Sequence, residues 1–309
     1  MNLPRGMFPL LETPFDETGA VDFASLERLT EDVATSGVGG ALAPLVASEV
    51  HSLTVDERRA IVELASRQIR GRIAFVVGAS ADDPDVCRGF ARLAGDLGCD
   101  GYLVAVPAQL YSQPEAIVPF FQSVASSSDA SLIIQDLQWN GPGLTIEMMR
   151  QLRDRLPTLT GFKIETVPSG PKYTAVREAF GAEIHISGGW AIPQLIEALD
   201  RGVDAMVPES ALVRVFQAIY RAHASRDRAG AVRLFRQLLP VLVFSNQELF
   251  HSIAFFKRLL VRKGLLSTAG MRPPGYQWDR YNLRIADELI DYYLDLESRH
   301  SAGDSGETA

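Results

Sequence analysis

Short apolar runs and longer amphipathic stretches alternate along most of the chain. The runs at 7–11, 41–45, 73–77, 102–106, 132–135, 162–165, 184–186 and 205–207 are rich in Val, Ile, Leu and Ala. Runs this short, with few polar positions inside them, predict strands buried on both faces. Between them apolar positions recur every three or four residues, the period of a helix with one face on a core. Asp22 is placed to cap the first helix, which runs through Leu26 and Leu29 to Ser36 and ends at Gly37-Val38-Gly39-Gly40. Thr54 with Glu57 three residues on forms a capping box at the start of the second. Further helices are expected to begin near Asp83, Pro114, Thr145, Lys172 and Ile192.

Strands separated by single helices predict a parallel sheet with right-handed crossovers. Eight such units predict a (β/α)8 barrel. A doubly wound sheet is the alternative, but no Gly-x-Gly-x-x-Gly follows the first strand, so dinucleotide binding has no support. After Glu209 the pattern turns helical over 211–224, 229–243, 247–263 and 281–296, with no strand between. The chain thus divides into a barrel over 1–224, a C-terminal helical extension over 225–298 and a small, polar tail over 299–309 that is expected to be disordered.

The 309 residues, 47% apolar and 22% charged, have the composition of a soluble globular protein. A net charge of −8 argues against a nucleic-acid-binding surface. Cys87 and Cys99 suit neither a disulfide framework nor a zinc site. His51, His185, His223, His251 and His300 show no paired ligand spacing, so no metal is expected. Met1-Asn2-Leu3-Pro4-Arg5-Gly6 lacks the regions of a signal peptide, and no apolar run is long enough to span a bilayer. The expectation is a cytoplasmic enzyme that acts on a small molecule.

The candidate chemistry lies in Gly161-Phe162-Lys163-Ile164-Glu165-Thr166. Only four lysines occur, Lys163, Lys172, Lys257 and Lys263, and Lys163 alone interrupts a buried-looking strand. Arginine pairs with anions, but only lysine can become the neutral amine that attacks a ketone to form a Schiff base. Strand alternation puts Glu165 on the same face, about 7 Å further along. Two readings stand: a buried ion pair, or an amine and a carboxylate serving one pocket.

In a barrel the site forms at the C-terminal ends of the strands. Val46-Ala47-Ser48-Glu49, Gln109, Gln135-Asp136, Lys163, Glu165, Gly188-Gly189 and Val207 all fall there. Lys163, Glu165 and Gln135 are the candidate catalytic residues. Val46, Ala47, Ser48, Gln109, Asp136, Gly188, Gly189 and Val207 are the candidate substrate-binding ones. Paired glycines let backbone N–H groups approach a small carboxylate, although the same pair also suits an ordinary turn.

These residues resemble a family. Thr13-Pro14-Phe15, Gly19-x-Val21-Asp22, Glu49-x-x-x-Leu53-Thr54-x-x-Glu57-Arg58, Gly98-Cys99-Asp100-Gly101 with Pro107, Gly161-Phe162-Lys163 and Arg272-Pro273 are similar, in order and spacing, to the dihydrodipicolinate synthase/N-acetylneuraminate lyase group of class I Schiff-base lyases. The resemblance implies a (β/α)8 barrel with C-terminal helices, a homotetramer, and chemistry on pyruvate or other 2-keto acids through Lys163 with no cofactor. The chain also departs from the group. Leu45-Val46-Ala47-Ser48-Glu49 stands where the family has Gly-Thr-Thr-Gly-Glu, Gln135 matches the catalytic tyrosine, and Gln109 matches a second tyrosine given by a neighbouring subunit. Asn140 matches the arginine that holds the aldehyde substrate's carboxylate, so dihydrodipicolinate synthesis is not expected.

Ser48-Glu49, Gln135-Asp136, Phe162-Lys163-Ile164-Glu165-Thr166 and the loop Val167-Pro168-Ser169-Gly170-Pro171-Lys172 resemble a divergent branch that includes 2-keto-3-deoxy-L-arabinonate dehydratase. Trp139-Asn140-Gly141-Pro142-Gly143 departs from that branch's small-residue loop. The chemistry fits a dehydration. An imine at C2 acidifies the C3 hydrogens, and the enamine formed by removing one can expel a hydroxyl from C4. Aldol cleavage or formation with pyruvate is the alternative and needs a base for the C4 hydroxyl. A keto-acid-binding protein without turnover is a third reading.

Overall fold

The computed structural model describes residues 3–138, 140–189 and 192–301. Among them, eight parallel strands alternate with helices: β1 (Gly6–Met7), α1 (Phe23–Ala34), β2 (Gly40–Ala43), α2 (Val55–Ile69), β3 (Ala74–Gly78), α3 (Pro84–Asp96), β4 (Gly101–Ala105), α4 (Ile117–Ala125) and β5 (Leu132–Asp136). Then follow α5 (Ile146–Arg155), β6 (Leu159–Ile164), α6 (Gly170–Phe180), β7 (His185–Gly188), α7 (Leu195–Asp200), β8 (Ala205–Met206) and α8 (Val213–Ala224). Three further helices, α9 (Arg228–Ser245), α10 (Leu249–Arg262) and α11 (Arg280–Ser301), complete the chain.

The strands pair in the order β1-β8-β7-β6-β5-β4-β3-β2. The remaining seam, between β1 and β2, closes through backbone bonds. The Gly39 N–H donates to the Met7 carbonyl at 3.0 Å, Leu42 to Pro9 at 3.1 Å and Leu11 to Leu42 at 2.9 Å. Leu10 bridges both Leu42 and Glu209. The sequence predicts one strand over 7–11; in the structure the ladder is shorter because Pro9 has no N–H to give it. The result is a (β/α)8 barrel with a C-terminal set of helices.

Strand alternation sorts the apolar residues into two cores. Phe8, Leu10, Leu42, Ala74, Val76, Leu103, Ile133, Ala205 and Val207 fill the barrel. Ala41, Ala43, Phe75, Val77, Val104, Ile134, Phe162, Ile164 and Met206 point outward, beneath the helices. The expected caps form: Asp22 accepts from Ser25 N–H, and Thr54 and Glu57 close a capping box. α11 continues to Ser301, past the boundary expected at 298, with Arg299 paired to Asp295 on its last turns. Residues 302–309, where most of the disordered tail was expected, lie outside the described residues, as does Trp139 of the 139–143 segment. Among the described residues no helix is long and apolar enough to cross a membrane.

α10 packs against the turns at 46–48 and 210–212 and is locked there by Lys257. That side chain, 1% exposed, pairs with Glu49, donates to the Gly270 carbonyl at 2.8 Å and lies 4.4 Å from the centre of the Phe15 ring. Arg272 covers the same ring at 4.5 Å, pairs with Glu57 at 2.5 Å and donates to the carbonyls of Gly19 and Ser52.

Lys257→Ala leaves Glu49 buried without its cation. Breaking a buried pair from one side costs about 3–5 kcal/mol, so the denaturant midpoint is expected to fall accordingly. An unchanged midpoint would show that the pair does not secure α10.

Candidate active site

A cavity opens at the C-terminal mouth of the barrel. Its wall includes Leu10, Leu45, Val46, Ala47, Gln135, Leu137, Lys163, Glu165, Gly189, Ile192, Val207, Glu209, Asn246 and Leu249. Ile133 and Val207 face inward, so the two-residue period carries Gln135 on β5 and Glu209 after β8 to the same interior. On β6 the outward turn of Phe162 and Ile164 sends Lys163 and Glu165 inside.

Lys163 Nζ stands 2.7 Å from Glu165 Oε2, and both side chains are buried. Gln135 Nε2 donates to the same oxygen. The register sets Gln135 and Ser187 on either side of Lys163 on the neighbouring strands, so the three polar tips of Lys163, Glu165 and Gln135 meet in one layer. Gly189 forms the opposite side. A Cβ there would collide with Glu165 Oε1 and stand 2.8 Å from Lys163 Nζ, so any larger residue would displace the pair as it now stands.

Two further carboxyls did not stand out in the sequence: Glu209, on the cavity wall, and Glu12, behind it beside Ser210. Burial pushes Glu209 up to about 7, with the Glu12 and Glu165 charges raising it further and Lys163 opposing them. Burial likewise pushes Glu12 up to about 7, only partly offset by the Ser210 hydroxyl that donates to it. The signal for Glu209 was present in the alternation Ala205, Val207, Glu209. Glu12 was legible only as an acid at the end of the first apolar run. Asn246 and Leu249 come from the junction of α9 and α10, which no strand pattern could place.

Of the residues expected at the site, Lys163, Glu165, Gln135, Val46, Ala47, Gly189 and Val207 come together on the cavity wall. Ser48, Gln109, Asp136 and Gly188 lie off it. Ser48 turns into the barrel rim, where its hydroxyl donates to the Leu11 carbonyl at 2.7 Å and its carbonyl accepts from Thr13. Gln109 is exposed on the turn Ala108–Ser112. Asp136 and Gly188 have the opposite strand parity from Gln135 and Gly189 and so point outward. Asp136 pairs with Lys172 Nζ at 2.5 Å and accepts from the Tyr111 hydroxyl and the Leu144 N–H, both at 2.9 Å. That network fastens the loop after β5, and Lys172 also donates to the Pro142 carbonyl at 2.6 Å. Gly188 lies against the Tyr173 ring and Met206. Among the described residues no group of three His, Cys, Asp or Glu is arranged to hold a metal ion.

The model of the dihydrodipicolinate synthetase family matches residues 3–286. The 4-hydroxy-tetrahydrodipicolinate synthase of Salinibacter ruber is 30% identical over 166 residues, 52% of this chain and 53% of that protein, so the chain spans about half the length of this relative. The L-2-keto-3-deoxyarabonate dehydratase of Azospirillum brasilense is 24% identical over 276 residues, covering 87% of this chain and 88% of that one. The crystal structure of dihydrodipicolinate synthase from Rhodopseudomonas palustris superposes with a TM-score of 0.84 at 25% identity, over 94% of this chain and 97% of that one.

The raised Glu12 carboxyl has a consequence for stability. Between its ordinary 4.5 and about 7, the folded chain keeps a proton that the unfolded chain has lost. Stability therefore falls as pH rises through that window and levels off above it. For a side chain that is 1% exposed the cost amounts to about 3 kcal/mol. Glu12→Gln removes it, so the variant is expected to match the parent near pH 4 and exceed it by about that amount at pH 8 in denaturant unfolding. A gap that does not change with pH would refute the burial of a titrating Glu12.

Proposed function

The chain belongs to the dihydrodipicolinate synthetase family, and we propose that it is a Schiff-base lyase that dehydrates a 2-keto-3-deoxy sugar acid. The observation that carries this reading is the Lys163–Glu165–Gln135 cluster, buried in the barrel and facing a cavity. The full-length similarity to a dehydratase supports it.

Lys163 Nζ attacks the C2 ketone and water leaves, giving an imine whose positive nitrogen draws electrons from C3. Glu165, already within hydrogen-bonding distance of Nζ, takes a C3 proton and leaves an enamine. The enamine expels the C4 hydroxyl, and hydrolysis of the imine frees the product. Gln135 cannot exchange protons; it holds Glu165 and hydrogen-bonds the substrate. Val46 and Ala47 lead the turn at 46–48 on the cavity wall, and in this reading their N–H groups receive the C1 carboxylate. Val207 packs against the carbon chain.

Aldol cleavage needs a base at the C4 hydroxyl. Among the described residues no tyrosine lines the cavity, and the Tyr111 hydroxyl is spent on Asp136 behind β5. The imine is its own electron sink, so this mechanism requires no metal or organic cofactor. In a homotetramer the exposed Gln109 would be available to a neighbouring subunit, in keeping with the position it matches.

Two substitutions test the scheme. Lys163→Arg keeps the charge but removes the nucleophile, so turnover and borohydride trapping of pyruvate are both expected to vanish in a folded protein. Turnover within about tenfold of the parent would end the imine mechanism.

Glu165→Gln is expected to retain trapping, because amine and carbonyl are still present. Exchange of C3 hydrogens with deuterated water and turnover should fall together, by roughly 10² or more. If Glu165 were only the partner of Lys163, exchange would stay near the parental rate.

A further inference from the structure

Elimination has a second proton requirement, at the C4 oxygen, which Glu165 could meet only by returning the proton it has just taken from C3. Hydroxide is a poor leaving group, so the C4 oxygen has to gain a proton as its bond to carbon breaks. Glu165 starts the step as a carboxylate that accepts the C3 proton, and Gln135 has no proton to exchange. Glu165 would have to carry the C3 proton across to the C4 oxygen, whereas a second carboxyl on the cavity wall can hold a proton ready there.

We propose that Glu209 is that acid, a further catalytic residue that hands its proton to the hydroxyl leaving C4. The role rests on the dehydratase reading above. Glu209 follows β8 on the inward face, two residues beyond Val207, and lines the same cavity as Lys163 and Glu165. It is held there by the main chain, through the parallel bridge to Leu10. Its Oε2 is buried and has no hydrogen-bond partner among the described residues. Leaving a carboxyl oxygen unmatched in a buried place is costly, and a substrate hydroxyl supplies the missing partner.

The charged groups that face Glu209 are Glu12 from the end of β1, and Lys163 and Glu165 from β6. Burial first, then Glu12 and Glu165, favour its neutral form, against a backbone hydrogen bond at Glu209 itself and the charge of Lys163. Lys257, the nearby cation on α10, is taken up by Glu49. A carboxyl held up to about 7 retains a proton in a large share of molecules at neutral pH, as a general acid requires.

The step balances. Glu165 receives the C3 proton, and the freed electron pair passes through the enamine to form the C3–C4 double bond. The C4–O bond breaks, the oxygen takes the Glu209 proton, and one water leaves. Glu209 is re-protonated from solvent after the product departs.

The test compares L-2-keto-3-deoxyarabonate with its analogue carrying fluorine in place of the C4 hydroxyl, since fluoride leaves without needing a proton. In Glu209→Gln, water loss from the hydroxy acid is expected to fall by roughly 10². Fluoride release, borohydride trapping of pyruvate and exchange of pyruvate C3 hydrogens should all stay within about threefold of the parent. Trapping also certifies that the variant is folded. The role is overturned if water loss falls less than about tenfold, or if fluoride release or trapping falls alongside it. The parent protein gives an independent reading: water loss should decline as pH rises through about 7, while the ratio of fluoride release to pyruvate exchange holds level. A flat pH profile for water loss would equally overturn the role. Failure of the parent to trap pyruvate would bring down the imine reading itself. Normal trapping with unimpaired water loss in Glu209→Gln would bring down Glu209 alone.

Discussion

The architecture of the mouth depends on a lysine and a glutamate placed inside an apolar barrel. Two charges removed from water lose several kcal/mol of solvation each, which only close pairing and further hydrogen bonds return. Glu165 Oε2 meets that demand by accepting from both Lys163 and Gln135. Crowding follows from the pairing: glycine at position 189 leaves the carboxylate where it is, and a side chain there would push it aside. The layer below is closed by Leu10, Leu42, Leu103 and Ile133, which exclude water from the cluster's underside.

The motifs that carry the family resemblance serve a second purpose. Phe15, Gly19, Glu49, Glu57 and Arg272 lie far apart in sequence but form one assembly beside the cavity. Arg272 and Lys257 flank the Phe15 ring, and both reach Glu49: Lys257 through its ammonium, Arg272 through its backbone N–H at 3.2 Å. The positive φ of Glu49, +58°, is the backbone turn that brings its carboxylate to both. This assembly binds the C-terminal helices to the barrel, and α10 in turn brings Asn246 and Leu249 to the cavity wall. Much of the recognisable sequence therefore builds the frame of the site and leaves the chemistry to a few inward positions.

Those inward positions have an acidic bias. Glu165 and Glu209 line the cavity with Lys163, Glu12 stands close enough to raise Glu209, and burial above all keeps protons on Glu12 and Glu209 toward neutrality. This side of the barrel favours neutral, proton-bearing carboxyls. It contrasts with the outer face of β5, where Asp136, Lys172 and Tyr111 neutralise one another and hold a loop.

The sequence by itself determined the eight βα units, the helical extension, the caps at Asp22 and Thr54, and Lys163 with Glu165 as the centre of interest. Each of these follows from local periodicity or from one residue type standing out in its surroundings. Tertiary structure alone decided between neighbours. Gln135 and Asp136, or Gly189 and Gly188, are adjacent in sequence, and only the barrel's inside and outside distinguish them: one of each pair reaches the cavity and the other packs beneath the helices. Glu12 and Glu209 are separated by nearly the length of the barrel. They meet because closure sets the segment after β1 beside β8, with Leu10 bridging Glu209. Long-range hydrogen-bond register of this kind leaves no trace in local periodicity, which is why alternation could turn Glu209 inward but could not bring Glu12 beside it.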